Sequence, residues 1–206
     1  ASGCTPVCNV FTDLSNAVDG TMSGWEWSFP GGIPSSSTLQ NPGNVCYNSP
    51  GTYGVTLTVT NSFGCKDTLT INPMINAYPW PNADFCVVPE KASATDPVFT
   101  FCDLWTPNPG VTQWYWDFGD GSPIDSINTD PVHSYSATVT GNDFYIYNVC
   151  LYVKNQYGCW DTICKTVEIL PEFTFYIPNA FTPNGDPTNE LFFGKGRGIK
   201  EYDIWL

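Results

Sequence analysis

Tyr53, Val55, Leu57 and Val59 alternate with Gly54, Thr56, Thr58 and Thr60, and the same period of two returns at Tyr147, Val149, Leu151 and Val153. Strict alternation puts one set of side chains on each face of a strand, so each run predicts a strand with a single buried face. Turn clusters such as Ser49-Pro50-Gly51 and Asn61-Ser62-Phe63-Gly64 punctuate the runs. No stretch carries the periodicity of a useful amphipathic helix. Several short strands in each block of about 90 residues, a central Trp strand and no helices predict immunoglobulin-like sandwiches. The expected fold class is all-β: tandem immunoglobulin-like β-sandwiches plus a partial C-terminal β segment.

The alternation belongs to a longer repetition. Residues 53–68, running from Tyr53 through Asn61-Ser62-Phe63-Gly64-Cys65 to Thr68, return as residues 147–162, with Asn155-Gln156-Tyr157-Gly158-Cys159 at the turn. Upstream, Trp25-Glu26-Trp27-Ser28-Phe29 pairs with Trp114-Tyr115-Trp116-Asp117-Phe118. Asn41-Pro42 through Tyr47 likewise pairs with Asp130-Pro131 through Tyr135. The unit is domain-sized, which favours a structural or binding array. The expected organisation is a first sandwich over 1–74, a Pro-rich linker over 75–83, a second sandwich over 84–170 and an incomplete tail module over 171–206. Three prolines between Pro73 and Pro81 predict an extended, semi-stiff connection, with Met74, Ile75, Tyr78 and Trp80 buried between the modules.

Composition narrows the functional classes. Charged residues make up only 13% and the net charge is −13, with seven Lys and Arg in all. Such a chain lacks the basic footprint of a nucleic-acid binder and does not favour anionic lipid. No apolar run is long enough to insert directly into a bilayer. No signal peptide is read, so the chain is taken as a mature or internal piece. Nine cysteines in a Pro- and Gly-rich β pattern, with His133 the only histidine, point to disulfides in an oxidising compartment rather than to zinc.

Two motifs carry resemblances. Trp116-Asp-Phe-Gly-Asp-Gly121, then Asp130-Pro-Val-His133-Ser-Tyr135 and the Tyr147 strand, resembles the polycystic kidney disease (PKD) domain. The first repeat resembles a variant of secreted Bacteroidetes-type proteins, with Pro30 and Gly31 standing where the second has Gly119 and Asp120. Ile177-Pro-Asn-Ala-Phe-Thr-Pro-Asn-Gly-Asp186-Pro-Thr-Asn189-Glu190-Leu-Phe-Phe resembles the opening of the gliding-motility-associated C-terminal domain. That resemblance implies a type B sorting domain read by the type IX secretion system. It also implies type IX components and outer-membrane attachment proteins as partners, and a secreted or outer-membrane-attached location. Pro187 and Glu190 depart from the family's usual Gly-x-Asn-Asp.

The residues offer few sites. His133 is expected to pack beside Tyr135, and no nucleophile elbow, phosphate loop or His-Glu-x-x-His helix occurs, so no enzyme is expected. Trp27 and Trp116 should face the cores. Asp117 and Asp120 flank a Gly turn, as turn caps or as cation ligands. Asn184, Asp186, Asn189 and Glu190 supply oxygens for calcium, or form an Asx-turn loop without metal.

Strand parity pairs Cys150 with Cys164 across a hairpin, where the first repeat has Thr56 and Thr70. Cys8 and Cys46 should meet at one pole. Elimination pairs Cys86 with Cys159 and Cys4 with Cys65, leaving Cys102 over. No Asn-x-Ser/Thr acceptor occurs. Thr68, Ser126 and Thr162 each sit in Asp-Ser/Thr-aliphatic, which resembles the O-glycosylation acceptor of Bacteroidetes-type bacteria. Two functions remain: the stalk of a secreted adhesin or filament built with neighbouring repeats, or an accessory carbohydrate-binding region of a secreted hydrolase or protease. In the second, Trp80, Trp105 and Trp160 would stack on surface glycans.

Overall fold

The structure is a computed structural model that describes residues 1–104, 110–136, 144–171, 174–176 and 195–197. Two compact units emerge: Ala1–Asn82 with Thr106–Gln113 and Val153–Asp161, and Ala83–Trp105 with Trp114–Tyr152 and Thr162–Leu206. Among the described residues there is no helix, and the fold is an immunoglobulin-like, all-β sandwich.

In the first unit, β1 (Ser2–Cys4), β7 (Lys66–Tyr78), β6 (Gly51–Asn61), β3 (Met22–Ser28) and β4 (Ser36–Ser37) form one sheet in that order. Among the described residues, the facing sheet holds β2 (Val7–Phe11) and β5 (Gly43–Tyr47). Phe11, Trp27, Phe29, Val45 and Tyr47 are buried between them. Trp27 stacks on Phe29 at 5.7 Å. The central hairpin pairs Thr56 with Thr70 and Thr58 with Thr68 in register. Both pairs hydrogen-bond through their hydroxyls at 2.9 Å on the solvent face.

Residues 75–78 are not linker. They are the last stretch of β7, paired with β6 and with β1, and Ile75 and Ala77 are buried in the first core. Pro73 suggested a break, because proline cannot donate to a ladder. The sheet absorbs it in a bulge: Tyr53 faces Ile75 and Val55 faces Ile71, so the proline falls where β7 carries extra residues.

In the second sandwich, one sheet runs β12 (Val132–Ser134), β10 (Val98–Asp103), β8 (Phe85–Val88). The other runs β11 (Val111–Asp117), β13 (Tyr145–Asn155), β14 (Trp160–Leu170), β9 (Lys91–Ser93). Trp116, Phe85, Phe99, Phe101 and Tyr135 are fully buried. Phe85 meets Trp116 edge-on at 5.1 Å. The strands β15 (Thr174–Tyr176) and β16 (Lys195–Arg197) pair antiparallel.

Candidate functional site

The two sandwiches share a plan, but one strand has no counterpart. In each, a Trp indole donates to an aspartate at or just past the end of the facing strand: Trp25 of β3 to Asp13, two residues beyond β2, and Trp114 of the edge strand β11 to Asp103, the last residue of β10. In the second, β8 lies against β10, pairing Phe85 with Asp103 and Val88 with Thr100. Lys165 of β14 clasps this strand, binding the Asp84 carboxylate at 2.6 Å and the Phe85 carbonyl, with its ammonium 4.9 Å from the Phe85 ring centre. That ammonium donor is the first reason why the Asp84 carboxyl sits below its ordinary value. Among the described residues, the first unit has no strand beside β2 in this place.

A groove of about 940 Å³ occupies it. Leu57, Val59, Leu69 and Ile71 line its floor from the hairpin, and Leu14 and Val18 line the opposite wall. Leu69 is 62% exposed and Val18 98%. The wall segment is tethered at Asp13, whose carboxylate accepts from Ser15 N, Trp25 Nε1 and Gln40 Nε2. Burial pushes the Asp13 carboxyl up, but those donors outweigh it and hold the group below its ordinary value.

The second feature is a pair of matching hairpin tips. At each, an asparagine side chain accepts two backbone N–H groups: Asn61 from Phe63 and Cys65, Asn155 from Tyr157 and Cys159, all at 2.9–3.0 Å. Gly64 and Gly158 follow at φ +82° and +85°, a left-handed conformation that favours glycine. The backbone is the same, but the side chains are used differently. In the first unit, the 153–161 tip is docked: Cys159 is bonded to Cys4, Tyr157 stacks on Tyr78 at 4.3 Å and 6°, and Asn155 Nδ2 donates to the Pro79 carbonyl at 2.9 Å. At the 61–65 tip, Cys65 is an exposed free thiol and Phe63 is 73% exposed.

The disulfides revise the expected pairing. Cys86 joins Cys102 and not Cys159, because β8 and β10 place the two directly opposite, Cα atoms 5.1 Å apart. Cys4 joins Cys159 and not Cys65. Cys65, not Cys102, is the thiol left over. Sequence reasoning missed β8 as the partner of β10, and the Cys4–Cys159 bridge spans 155 residues that no local pattern connects. Cys8 lies opposite Cys46 on β2 and β5, and Cys150 is bonded to Cys164, the position of the Thr56/Thr70 pair.

The Asp-Gly turn acts as scaffold. Asp117 accepts from Gly119 N, and Asp120 from Ser122 N and at 2.8 Å from His133 Nε2. Burial raises the Asp120 carboxyl, yet the Ser122 and His133 bonds prevail and bring it down to about 2. His133 stacks flat on Phe118 at 3.9 Å and meets Tyr135 edge-on, while the Tyr135 hydroxyl donates to the Phe118 carbonyl. Burial pushes the Tyr135 phenol up, so that hydroxyl remains a donor.

Among the described residues no group of three or more His, Cys, Asp and Glu could hold a metal. The calcium candidates Asn184, Asp186, Asn189 and Glu190 lie outside the described residues, as does Trp105. Thr68, Ser126 and Thr162 are exposed. Trp80 donates its indole N–H to the Thr5 carbonyl, and Trp160 lies under Lys154 at 5.0 Å.

A family model described as the PKD domain matches residues 6–72. No curated protein matches the chain. Among solved structures, the PKD1 domain of Vibrio anguillarum Epp is 23% identical, covers 45% of this chain and 96% of its own, and has a TM-score of 0.36. The PKD1 domain of the Vibrio cholerae metalloprotease PrtV is 24% identical over 44% of this chain and 96% of its own, with a TM-score of 0.35. A structure titled for carbohydrate-binding modules of the β-sandwich superfamily is 21% identical over 48% of this chain and 44% of its own, at 0.38. A PKD domain is thus found at residues 6–72 of an all-β, immunoglobulin-like chain.

Proposed function

We propose that the chain is a non-enzymatic spacer region of a secreted, surface-attached adhesin or filament protein, exported by the type IX system through the segment that begins near residue 171. The observation that carries this reading is a duplicated sandwich plan stapled by four disulfides, with the PKD match on its first copy. Cross-links of this density belong to oxidising compartments, and they stabilise small β-modules that meet proteases and shear. Trp80 and Trp160, the described aromatics that a sugar-binding role would use, are engaged by Thr5 and Lys154, which favours the spacer over the carbohydrate-binding reading.

Thr68, Ser126 and Thr162 are proposed O-glycan acceptors, which would cover exposed strands and limit edge-to-edge association. Fractionation of the native host is the test. The parent protein is expected at the cell surface and expected to stay in the periplasm when type IX secretion is disabled. Surface display that persists without that system defeats the export route. An intact mass equal to the bare chain defeats the glycan assignment.

A further inference from the structure

We propose that the Asn61–Cys65 tip is a docking plug for a further module of this build, lying N-terminal in the parent polypeptide, and that Cys65 is disulfide-bonded to that module's counterpart of Cys4. The inference deepens the modular part of the proposed function and does not depend on the export route. Its first support is the sister tip. Asn155, Tyr157 and Cys159 show what this turn does when it has a socket: an amide on a strand-end carbonyl, an aromatic stack and a disulfide. Asn61, Phe63 and Cys65 present the same three side-chain types from the same backbone; the Asn61 amide donates to the Asp19 carbonyl of its own unit at 3.3 Å, while the thiol is free and the ring in solvent.

The second support is the groove, which Asn61 and Cys65 also border. In the second sandwich, β8 pairs with β10 just before the chain enters β9, which runs parallel to β14. In the first unit, β1 runs parallel to β7 just as β9 does to β14, yet among the described residues β2 has no outer partner and the groove lies open over Leu69 and Ile71. The residues leading from the preceding module into Ala1 would supply the counterpart of β8. They would pair antiparallel with β2 and place an aromatic side chain in the groove, as Phe85 is placed against Trp116. One neighbour therefore accounts for both an unfilled strand site and a tip whose thiol is free and whose ring is exposed.

The covalent step is an ordinary oxidation. The Cys65 thiol and the partner thiol lose two protons and two electrons and form one S–S bond. A disulfide-bearing oxidoreductase accepts them and is reduced to a dithiol.

The experiment is peptide mapping of the parent protein from its host, blocked with an alkylating agent before digestion and run without reduction. The expected product joins the Cys65 peptide to a cysteine in the module before Ala1. A Cys65 peptide carrying the alkyl group, beside an intact Cys4–Cys159 peptide, overturns the inference and leaves the spacer reading standing. A Cys65–Cys65 product overturns it too. Absence of every disulfide instead defeats the compartment on which the proposed function rests. In the same protein, Phe63→Ser should lower the linked fraction at equilibrium about fivefold in a glutathione buffer, because the stack that seats the plug is gone. An unchanged fraction removes Phe63 from the docking surface and overturns the plug. Amide exchange closes the argument: β2 should be protected in the parent protein and exchange faster in the 206-residue chain, and equal rates overturn the strand assignment.

Discussion

The two sandwiches answer one design problem with different amounts of material. In the second, three strands face four, and Phe85 seals the aromatic core against Trp116 and Phe101. In the first, two strands face five, and the apolar side chains of the β6–β7 hairpin look into a groove. The difference teaches that the paired central hairpin suffices to define the plan, while one short edge strand decides whether the core is closed. Such a strand is only four residues long, yet it carries a buried ring that alone removes about 150–250 Å² from water.

The sharpest way to break this comparison is to open the second core. Phe85→Ala should cost about 3–5 kcal/mol in urea unfolding, since the cavity borders Trp116 and cannot collapse fully. A loss below about 1 kcal/mol means that β8 does not seal the core. The hairpins offer a reciprocal exchange. Replacing Thr56 and Thr70 by cysteine should raise the melting point of the first unit, with a gain of about 3 kcal/mol under oxidising conditions. Cys150→Thr with Cys164→Thr should lose a similar amount. Failure of the engineered pair to oxidise shows that the two hairpins differ in geometry.

Acid separates the units next. Asp120 has no equivalent where the first repeat carries Gly31. Its folded pKa of about 2 lies below the ordinary carboxylate value. Its contribution is therefore complete above about pH 4 and is lost as pH falls toward about 2, a change of about 1–2 kcal/mol. Asp120→Asn should flatten that acid limb in a pH series of thermal melts, and an unaltered limb assigns the acid loss to other carboxylates. The smallest effect lies on the solvent face. A double-mutant cycle on Thr58 and Thr68 should give a coupling of about 0.5 kcal/mol, and zero coupling reduces their hydroxyl contact to a bystander.

Much of the plan was legible because it rests on local period and on repetition. Val55 and Val149 are buried where alternation put them, and Trp27 and Trp116 lie in the cores. The Cys150–Cys164 bridge follows from counting along a hairpin whose turn is marked by Asn155 and Gly158. What escaped was set by partners distant in sequence or by exceptions to a rule. Pro73 reads as a strand breaker until the bulge is seen. Cys86 and Cys102 could not be matched without knowing that β8 runs beside β10. The groove was illegible because alternation reports which face of a strand is apolar, not whether another strand covers it.

The Cys4–Cys159 bond has a mechanical consequence. Tension along the polypeptide reaches Cys4, crosses the sulfur atoms and leaves at Cys159, so the intervening chain is bypassed. A separation of 155 residues, at roughly 3.3–3.6 Å each, withholds on the order of 500 Å of contour length from any pull on the ends. Stretched from its termini, the oxidised protein should extend only through residues 1–3 and 160–206, whereas a reducing environment releases the hidden length. The bond thus keeps most of the chain out of the path of the force.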